Sequence, residues 1–564
     1  MPATRYPKSD RRQTFGVIAL ASAVVVLAAI RASIGLSFYD DSYYVVVALR
    51  FAHGARLFVD ELSLQSLGEM VSVPFLKIYE SYFGLTGVAL FVRELYVVLA
   101  AFAGLVLYRL LRPSARPAAA AIAVMLPLLA LPYHLFAPTY NTVSQVCFTL
   151  SVVLGWASMR DRRQGLAATS GVLLALGAAA YPPLALAAVV LLITFALMAR
   201  KRKLVVAALG GAVLTGVLIA LLVLVGLSAD DLRRTIAFAT SNVGGIVSPL
   251  GKLRVALGRL GGALASAWLW PMWALAVSAS ISPLPKQLRT TALAALPLAA
   301  AVPGIVLLAR GDAFSFGSAT SSWMVTLTAG LAIPSILWAW RAGKKEYLRL
   351  IVHAAPFALT GLITVAYVTN SSWNRGVGSI ALAPLTLALL LCWSTSIAED
   401  AGPRLQWIAI ALSLLVAFGM LFANVFGDPL ALSRRVLIAE GPYAGITTSP
   451  GRSRELQAMT SAGGRWVGPT TRVAFLGERE AYLAVGGVWD TPAVWLPPAA
   501  SDRAAIEYYD RRGQPAQVVF VDELAIAREG GYRDGPAKDP LLAYVLKNYR
   551  KAGTVANFGV FVRR

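Results

Sequence analysis

Apolar runs of about twenty residues recur between residues 15 and 426, and they constrain the fold of this chain more than any other feature. In a helix that rises 1.5 Å per residue, a run of that length matches the hydrocarbon thickness of a bilayer. Only 14% of the 564 residues are charged, whereas about a quarter are charged in an ordinary soluble domain. The sequence therefore predicts a mainly α-helical, polytopic membrane protein.

We count about thirteen transmembrane helices, accepting shorter segments where proline divides an apolar run. The predicted spans are residues 15–36, 86–111, 118–135, 139–158, 166–180, 182–199, 204–227, 262–281, 290–309, 323–340, 350–369, 379–397 and 405–426.

The basic residues predict the orientation of these spans. Arg and Lys are concentrated in the short connectors, for example at Arg160, Arg162 and Arg163, and again from Arg200 to Lys203. The positive-inside rule predicts that these connectors and the N-terminus lie in the cytoplasm. The chain is then expected to be a multi-pass protein of the plasma membrane. A net charge of +22 that is dispersed in this way does not indicate a nucleic acid partner, because nucleic-acid-binding proteins gather basic residues on one face.

The composition changes after residue 427, where charged and turn residues replace the apolar runs. Strands are predicted at 472–476, 481–485, 516–521 and 554–562, with helices at 502–510 and 540–550. This alternation predicts a small extracytoplasmic α/β domain with a mainly parallel sheet. We therefore divide the chain into a transmembrane domain, 1–427, which includes a first outer loop at 37–85, and a C-terminal domain, 428–564.

An acidic pair, Asp40-Asp41, begins the sequence Asp40-Asp41-Ser42-Tyr43-Tyr44 just after the first apolar run. Carboxylates at a membrane exit cost free energy unless they are compensated, so this pair is a candidate for catalysis. In a helix, Asp40 would share a face with Tyr43 and Tyr44. Desolvation would raise the pKa of the carboxyl group and favour its use as a general base on a hydroxyl. The alternative is a solvated loop or a helix N-cap.

Arg93 lies about seven residues, or roughly 10 Å, inside the second predicted span. A charge at that depth faces a protein interior or a water-filled cavity. Its guanidinium has the donor geometry for the phosphate of a lipid-linked substrate. The alternative is an ion pair with Glu94, Asp40 or Asp41.

Other polar residues are weaker candidates. His53 and Glu69 lie in the first outer loop, and Arg375 lies at the outer mouth of the twelfth span. We predict no metal site, because the spacing of the acidic residues and His53 matches no compact metal motif, although a divalent cation stays an open alternative. Tyr140 and the residues that follow it are typical of a membrane interface. The candidate substrate-binding residues are therefore Arg93, Tyr43, Tyr44, Glu69, His53 and Arg375.

Taken together, these features resemble the GT-C superfamily of membrane glycosyltransferases, including protein O-mannosyltransferases, the aminoarabinose transferase of lipid A and the RgtA/B/C/D-like group. Those proteins carry a D-E-x-Y-Y sequence after the first span, and Asp40-Asp41-Ser42-Tyr43-Tyr44 looks like its D-D version. The long first loop, an arginine near the start of the second span and a C-terminal α/β domain outside the membrane extend the resemblance over most of the chain.

The resemblance implies an inverting transfer of a sugar from a polyprenyl-phosphate donor to a hydroxyl of a glycan, lipid or protein on the outer face of the membrane. Asp40 would be the base, Asp41 would fill the place usually held by Glu, and Arg93 would hold the donor phosphate. Such a reaction requires no cofactor, because the leaving group is already a phosphate. The His-Pro-Pro-like segment of several members is absent, and residues 65–69 stand in that region.

The main alternative function is a polytopic transporter or a lipid-linked glycan flippase or polymerase. Transporters commonly contain repeated halves with broken helices near the bilayer midplane. Here the proline pair Pro182-Pro183 has no evident counterpart, and the acidic pair lies at the end of a span. Both observations favour the enzyme.

Overall fold

The computed structural model describes residues 11–38, 40–129, 131–132, 135–242, 250–251, 253–255, 257–258, 269–281, 285–309, 313–368, 378–400, 402–423, 428, 435–477, 479–494, 502–513, 515–523 and 540–564.

Helices dominate the chain up to residue 423. They are α1 (Arg11–Ala32), α2 (Asp40–Ala52), α3 (Val73–Phe83), α4 (Val88–Leu111), α5 (Pro117–Leu129), α6 (Tyr140–Asp161), α7 (Gln164–Ala180), α8 (Ala185–Met198), α9 (Arg202–Leu224), α10 (Ala229–Asn242), α11 (Leu269–Ile281), α12 (Lys286–Ala309), α13 (Ala313–Arg341), α14 (Lys345–Val368), α15 (Gly378–Asp400) and α16 (Pro403–Ala423). Short 3₁₀ helices occupy Glu69–Ser72 and Pro182–Leu184. In the described residues, one of these helices coincides with at least part of each predicted apolar segment, and α2, α3 and α10 lie outside those segments.

Seven helices in the described part of the chain are long and apolar enough to cross a membrane. They are Thr14–Ala32, Val88–Leu111, Tyr140–Asp161, Arg202–Leu224, Trp323–Arg341, Lys345–Tyr367 and Gly378–Asp400. The others that coincide with apolar segments are shorter or less apolar. The length and hydropathy of these seven helices support the predicted membrane protein.

The helical core is organised around α15, which is buried along nearly its whole length. It packs against α5, α6, α13 and α14. Elsewhere small residues bring helices close together: a Cβ on Gly171 of α7 would lie 1.9 Å from the carbonyl oxygen of Ala208 on α9. Such close contact is typical of helices that associate in a bilayer, where van der Waals packing replaces the hydrophobic driving force.

The C-terminal region forms a five-stranded sheet with the order β4-β3-β5-β7-β6. Its strands are β3 (Arg472–Leu476), β4 (Val488–Trp489), β5 (Val518–Asp522), β6 (Tyr549–Val555) and β7 (Phe558–Arg563), and a separate two-stranded sheet pairs β1 (Val436–Leu437) with β2 (Thr447–Thr448). The helices of this region are α17 (Pro450–Trp466), α18 (Tyr482–Val485), α19 (Asp502–Arg512) and α20 (Pro540–Asn548). The sheet is parallel where β3 meets β4 and β5, and antiparallel where β7 meets β5 and β6.

Three details of the predicted α/β domain are wrong. The sheet is mixed rather than mainly parallel, and 481–485 contains the short helix α18 in place of a strand. The predicted strand at 554–562 is divided between β6 and β7, because Ala556 and Asn557 adopt positive φ angles of 46° and 68°. Two consecutive residues with positive φ form the tight hairpin turn that suits the twist of antiparallel strands.

Candidate active site in the first loop

The acidic pair occupies the first turn of α2, eight residues after α1 ends at Ala32. The segment is helical. This is the condition under which Asp40, Tyr43 and Tyr44 share one helical face. The side chains of Asp40 and Asp41 lie outside the described part of the structure. Their backbone position is a helix N-terminus, where the unpaired N–H groups and the helix dipole favour negative charge.

Arg93 of α4 holds the chain that leads to this acidic pair. Its side chain is buried, and its Nη1 and Nη2 atoms donate hydrogen bonds to the carbonyl oxygens of Ala32 (2.8 Å) and Gly35 (2.9 Å). The last carbonyls of a helix have no partner within the helix, and a basic side chain satisfies them. Arg93 therefore links α4 to the end of α1 at Ala32 and to Gly35, which lie eight and five residues before Asp40. Its contact with a donor phosphate stays a prediction.

The residues of α2 that follow the acidic pair are buried from Ser42 to Phe51. Ser42 Oγ lies 2.9 Å from the hydroxyl of Tyr443 and donates a hydrogen bond to the carbonyl oxygen of Ser37. The amide of Glu480, at the start of α18, donates to the carbonyl oxygen of Phe38 at 2.7 Å. The C-terminal region thus covers the α1–α2 junction and α2 on one side.

An ion pair joins α2, the first loop (residues 37–85) and the C-terminal region. Arg50 Nη1 donates to Glu61 Oε2 at 2.5 Å, and Arg50 Nη2 donates to the carbonyl oxygens of Asp60 (2.5 Å) and Thr491 (2.6 Å). The amide of Val494 donates to the same Glu61 oxygen at 3.2 Å. Burial raises the pKa of Glu61 to about 7, although Arg50 acts in the opposite direction. The loop and the C-terminal region are therefore connected through buried charge.

A second group of buried polar side chains, which we name the Glu69 cluster, consists of Tyr43, Ser66, Glu69, Ser72, Tyr140 and Asn141. Glu69 begins the 3₁₀ helix Glu69–Ser72 within the first loop, and its Oε1 accepts a hydrogen bond from the amide of Tyr140 at 3.2 Å. Burial raises the pKa of Glu69 to about 8; hydrogen bonds from the backbone oppose this shift, and the charge of Glu61 adds to it. At neutral pH the Glu69 carboxyl group is therefore mostly protonated.

The two tyrosines of the acidic motif connect α2 to this cluster. Tyr43 is buried, and its hydroxyl lies 3.4 Å from Ser66 Oγ. Burial, reinforced by the charges of Glu61 and Glu69, raises the pKa of Tyr43 well above its ordinary value, so the phenol stays protonated. The ring of Tyr44 meets the ring of Tyr140 edge-on with centroids 5.9 Å apart. The predicted residues Tyr43, Tyr44 and Glu69 are thus brought together.

Asn141 and Ser72 are members of the cluster that the sequence did not indicate. Both side chains are 1% exposed, and within the described residues neither Asn141 Oδ1 and Nδ2 nor Ser72 Oγ has a hydrogen-bond partner. The predicted span 139–158 already placed a helix start here, and α6 begins at Tyr140, where Thr139 forms a capping box with Thr142. What the sequence did not indicate is the contact of this helix start with Glu69 of the first loop.

The remaining predicted residues lie elsewhere or are not described. His53 follows the C-terminal end of α2, about 20 Å along the helix axis from Asp40. Its Nε2 lies 2.7 Å from Glu80 Oε1 on α3, and the His53 side chain is about half exposed. Arg375 lies outside the described residues. Among the residues that the structure covers, no three His, Cys, Asp or Glu side chains are grouped as metal ligands would be.

A scan against protein-family models found no match to this chain, and a search of curated proteins found no significant relative.

Proposed function

We propose that this protein is an inverting membrane glycosyltransferase that moves a sugar from a polyprenyl-phosphate donor to an acceptor hydroxyl. The observation that carries the proposal is the placement of Asp40-Asp41. The pair starts helix α2 eight residues after the first long apolar helix ends, and two later residues of the motif, Tyr43 and Tyr44, are buried on the side of the Glu69 cluster. An acidic pair that follows a long apolar helix and is followed by two buried phenols supports the proposal.

In the proposed reaction, Asp40 accepts the proton of the acceptor hydroxyl while the hydroxyl oxygen attacks the anomeric carbon of the donor. The bond from that carbon to the phosphate oxygen breaks, and the polyprenyl phosphate departs with the bonding electron pair. A single displacement of this kind inverts the anomeric centre. Asp41 shapes the site beside the base, and Arg93 stabilises the departing phosphate.

The proposed topology has thirteen spans with a cytoplasmic N-terminus in the plasma membrane. The first loop and residues 428–564 then lie on the outer face, where the acceptor is a glycan, a lipid or a protein. Support comes from the coincidence of a helix with each apolar segment and from the basic residues in the short connectors. The proposed chemistry needs no metal ion or nucleotide. Assistance by a divalent cation is the alternative to this part of the proposal.

The test is sugar transfer by purified wild-type protein and by Asp40→Asn, measured with radiolabelled polyprenyl-phosphate hexoses and pentoses. The acceptor is an envelope fraction from cells that lack the gene. Loss of a general base is expected to lower the rate by about 100-fold or more, with an unchanged melting temperature.

Asp230→Asn is the matched control, because Asp230 occupies the first turn of α10 and its side chain is exposed. This control variant is expected to keep full activity. Wild-type turnover in Asp40→Asn would remove Asp40 from the role of base, and no transfer by the wild type with any donor would overturn the proposed function.

A further inference from the structure

Three members of the Glu69 cluster present buried polar atoms without hydrogen-bond partners in the described residues. They are Glu69 Oε2, Ser72 Oγ and both side-chain polar atoms of Asn141. The three residues are at most 1% exposed. Buried polar groups in native proteins are normally hydrogen-bonded, and each one left unpaired loses its hydration without compensation. Ordered water or a ligand would complete the hydrogen bonds of these groups.

The backbone brings Glu69 against the start of α6. A Cβ on Gly68 would fall 2.4 Å from both the amide nitrogen and the Cα of Tyr140, so Gly68 packs directly on the start of α6. The next residue, Glu69, accepts the Tyr140 amide hydrogen bond. In a 3₁₀ helix the side chains of residues i and i+3 are eclipsed, which places Ser72 on the same side as Glu69. Asn141 follows Tyr140 in the first turn of α6.

The chemistry of these groups selects the kind of ligand. A protonated carboxyl, a primary amide and a hydroxyl each provide both hydrogen-bond donors and acceptors. A phosphate would instead be matched by cationic or purely donating groups. A divalent cation would be matched by ionised carboxylates, whereas burial, with a smaller contribution from the charge of Glu61, raises the pKa of Glu69 and favours its neutral form. Sugar hydroxyl groups, which donate and accept at the same oxygen, fit this set.

We propose that Glu69, Ser72 and Asn141 form a subsite that binds the hydroxyl groups of a neutral sugar, with Glu69 acting as a neutral hydrogen-bonding acid. This proposal rests on the proposed function, because it assigns the subsite to a sugar of the transfer reaction. Tyr140 of the cluster also packs its ring edge-on against the ring of Tyr44.

The test is direct binding of neutral methyl glycosides, with methyl mannopyranoside, methyl galactopyranoside and methyl arabinofuranoside as the probes. Saturation-transfer NMR would be recorded on protein in lipid nanodiscs, free of sugar-headed detergents and without any donor lipid. Wild-type protein is expected to bind at least one probe. Asn141→Leu and Glu69→Leu are expected to weaken that binding by at least about 10-fold, because each removes hydrogen bonds to the sugar.

Glu69→Gln separates this subsite from one that needs an anionic carboxylate. Gln has nearly the shape of a protonated Glu and keeps both a donor and an acceptor, so binding is expected to stay within about 3-fold of wild type. Glu94→Leu is the control, because Glu94 is exposed on α4. Loss of binding in Glu69→Gln would overturn the proposal, as would full binding in Asn141→Leu or no binding of any probe by wild-type protein. If Glu69→Leu does not fold, Glu69→Gln and Ser72→Ala still decide, since Ser72→Ala is expected to weaken binding.

These results are distinguishable from those that test the proposed function. Probe binding needs neither donor nor turnover, so Asp40→Asn is expected to bind the probes while it loses transfer. Transfer without probe binding would overturn the subsite alone. Probe binding without transfer by the wild type would overturn the glycosyltransferase proposal alone.

Discussion

The buried pair of Arg50 and Glu61 is expected to hold the C-terminal region against α2, and Arg50→Met tests this. Methionine preserves much of the volume of the arginine stem but removes its charge and its donors. The variant leaves Glu61 buried beside the amide of Val494 and removes the donors to the carbonyl oxygens of Asp60 and Thr491.

The magnitude follows from the burial of both partners, whose side chains are 6% and 1% exposed. Removing one partner of a buried ion pair costs about 3–5 kcal/mol, because the remaining charge has no compensation. Protonation of Glu61 limits this loss. Its pKa of about 7 lies above the ordinary value of 4.5, and the loss of Arg50 raises it further. A carboxyl with a raised folded-state pKa contributes stability at low pH that disappears as the pH rises through that pKa. The effect of Arg50→Met is therefore expected to be larger near pH 8 than near pH 6.

Hydrogen exchange at the amides of Leu62 and Val494 measures this contact. The Leu62 amide donates to the carbonyl oxygen of Pro492 at 2.8 Å, and the Val494 amide donates to Glu61. A loss of about 3 kcal/mol in the free energy of local opening corresponds to exchange that is roughly 100-fold faster, after correction for intrinsic rates. Exchange at Phe520, in the centre of the sheet, is expected to stay unchanged because the domain itself remains folded.

Two variants complete the test. Arg454→Met removes an exposed arginine from α17 and is expected to leave both rates unchanged. The double variant Arg50→Met/Glu61→Met is expected to recover most of the protection at Leu62, because an apolar pair leaves no buried charge. The Val494 amide is not a readout for this variant, because Glu61→Met removes its acceptor. Protection in Arg50→Met within about 3-fold of wild type at pH 8, or a double variant no better than the single one, would refute the reasoning.

Two further predictions concern the Glu69 cluster. Wild-type stability is expected to fall as the pH rises from about 5 to about 9, because the folded-state pKa of Glu69, about 8, lies above its ordinary value. The melting temperature of Glu69→Gln should fall less steeply than that of the wild type across that range. Equal pH dependence of the two melting temperatures would contradict a buried neutral acid at Glu69. Gly68→Ala is expected to lower the melting temperature, since its Cβ would meet the backbone of Tyr140. The control is Gly210→Ala, whose Cβ meets nothing within 4 Å, and it is expected to be neutral or slightly stabilising. Equal yields and melting temperatures for Gly68→Ala and Gly210→Ala would rule out the close contact between Gly68 and Tyr140.

Much of the helical architecture could be predicted from local sequence. A run such as 379–397 is apolar on every side, and such a run forms a helix buried in protein or lipid whatever its neighbours are. The helix beginning at Asp40 was conditional in the sequence analysis, and the structure confirms it. The strand order could not be derived in the same way. The turn at Ala556-Asn557 reverses the chain within one predicted strand, and its two positive φ angles are set by the pairing of β6 with β7.

The candidate site was only partly predictable. Tyr43, Tyr44 and Glu69 were identified from the sequence, but Asn141 and Ser72 were not, because each is unremarkable among its own neighbours. Arg93 was recognised as a buried charge, but its hydrogen bonds to the carbonyl oxygens of Ala32 and Gly35, at and just after the end of α1, were not predicted.

The sequence by itself determined that this chain is rich in long apolar helices, where those helices lie, and that an acidic pair follows the first of them. Those properties depend on hydrophobicity and helix periodicity, which act over one or two dozen neighbouring residues. Only the tertiary structure decided that Glu69 lies against the start of α6 and that Arg50 and Glu61 meet Thr491 and Val494. Contacts between residues so distant in sequence arise from the burial of surfaces against each other, and it is this burial that changes the protonation of Glu61 and Glu69.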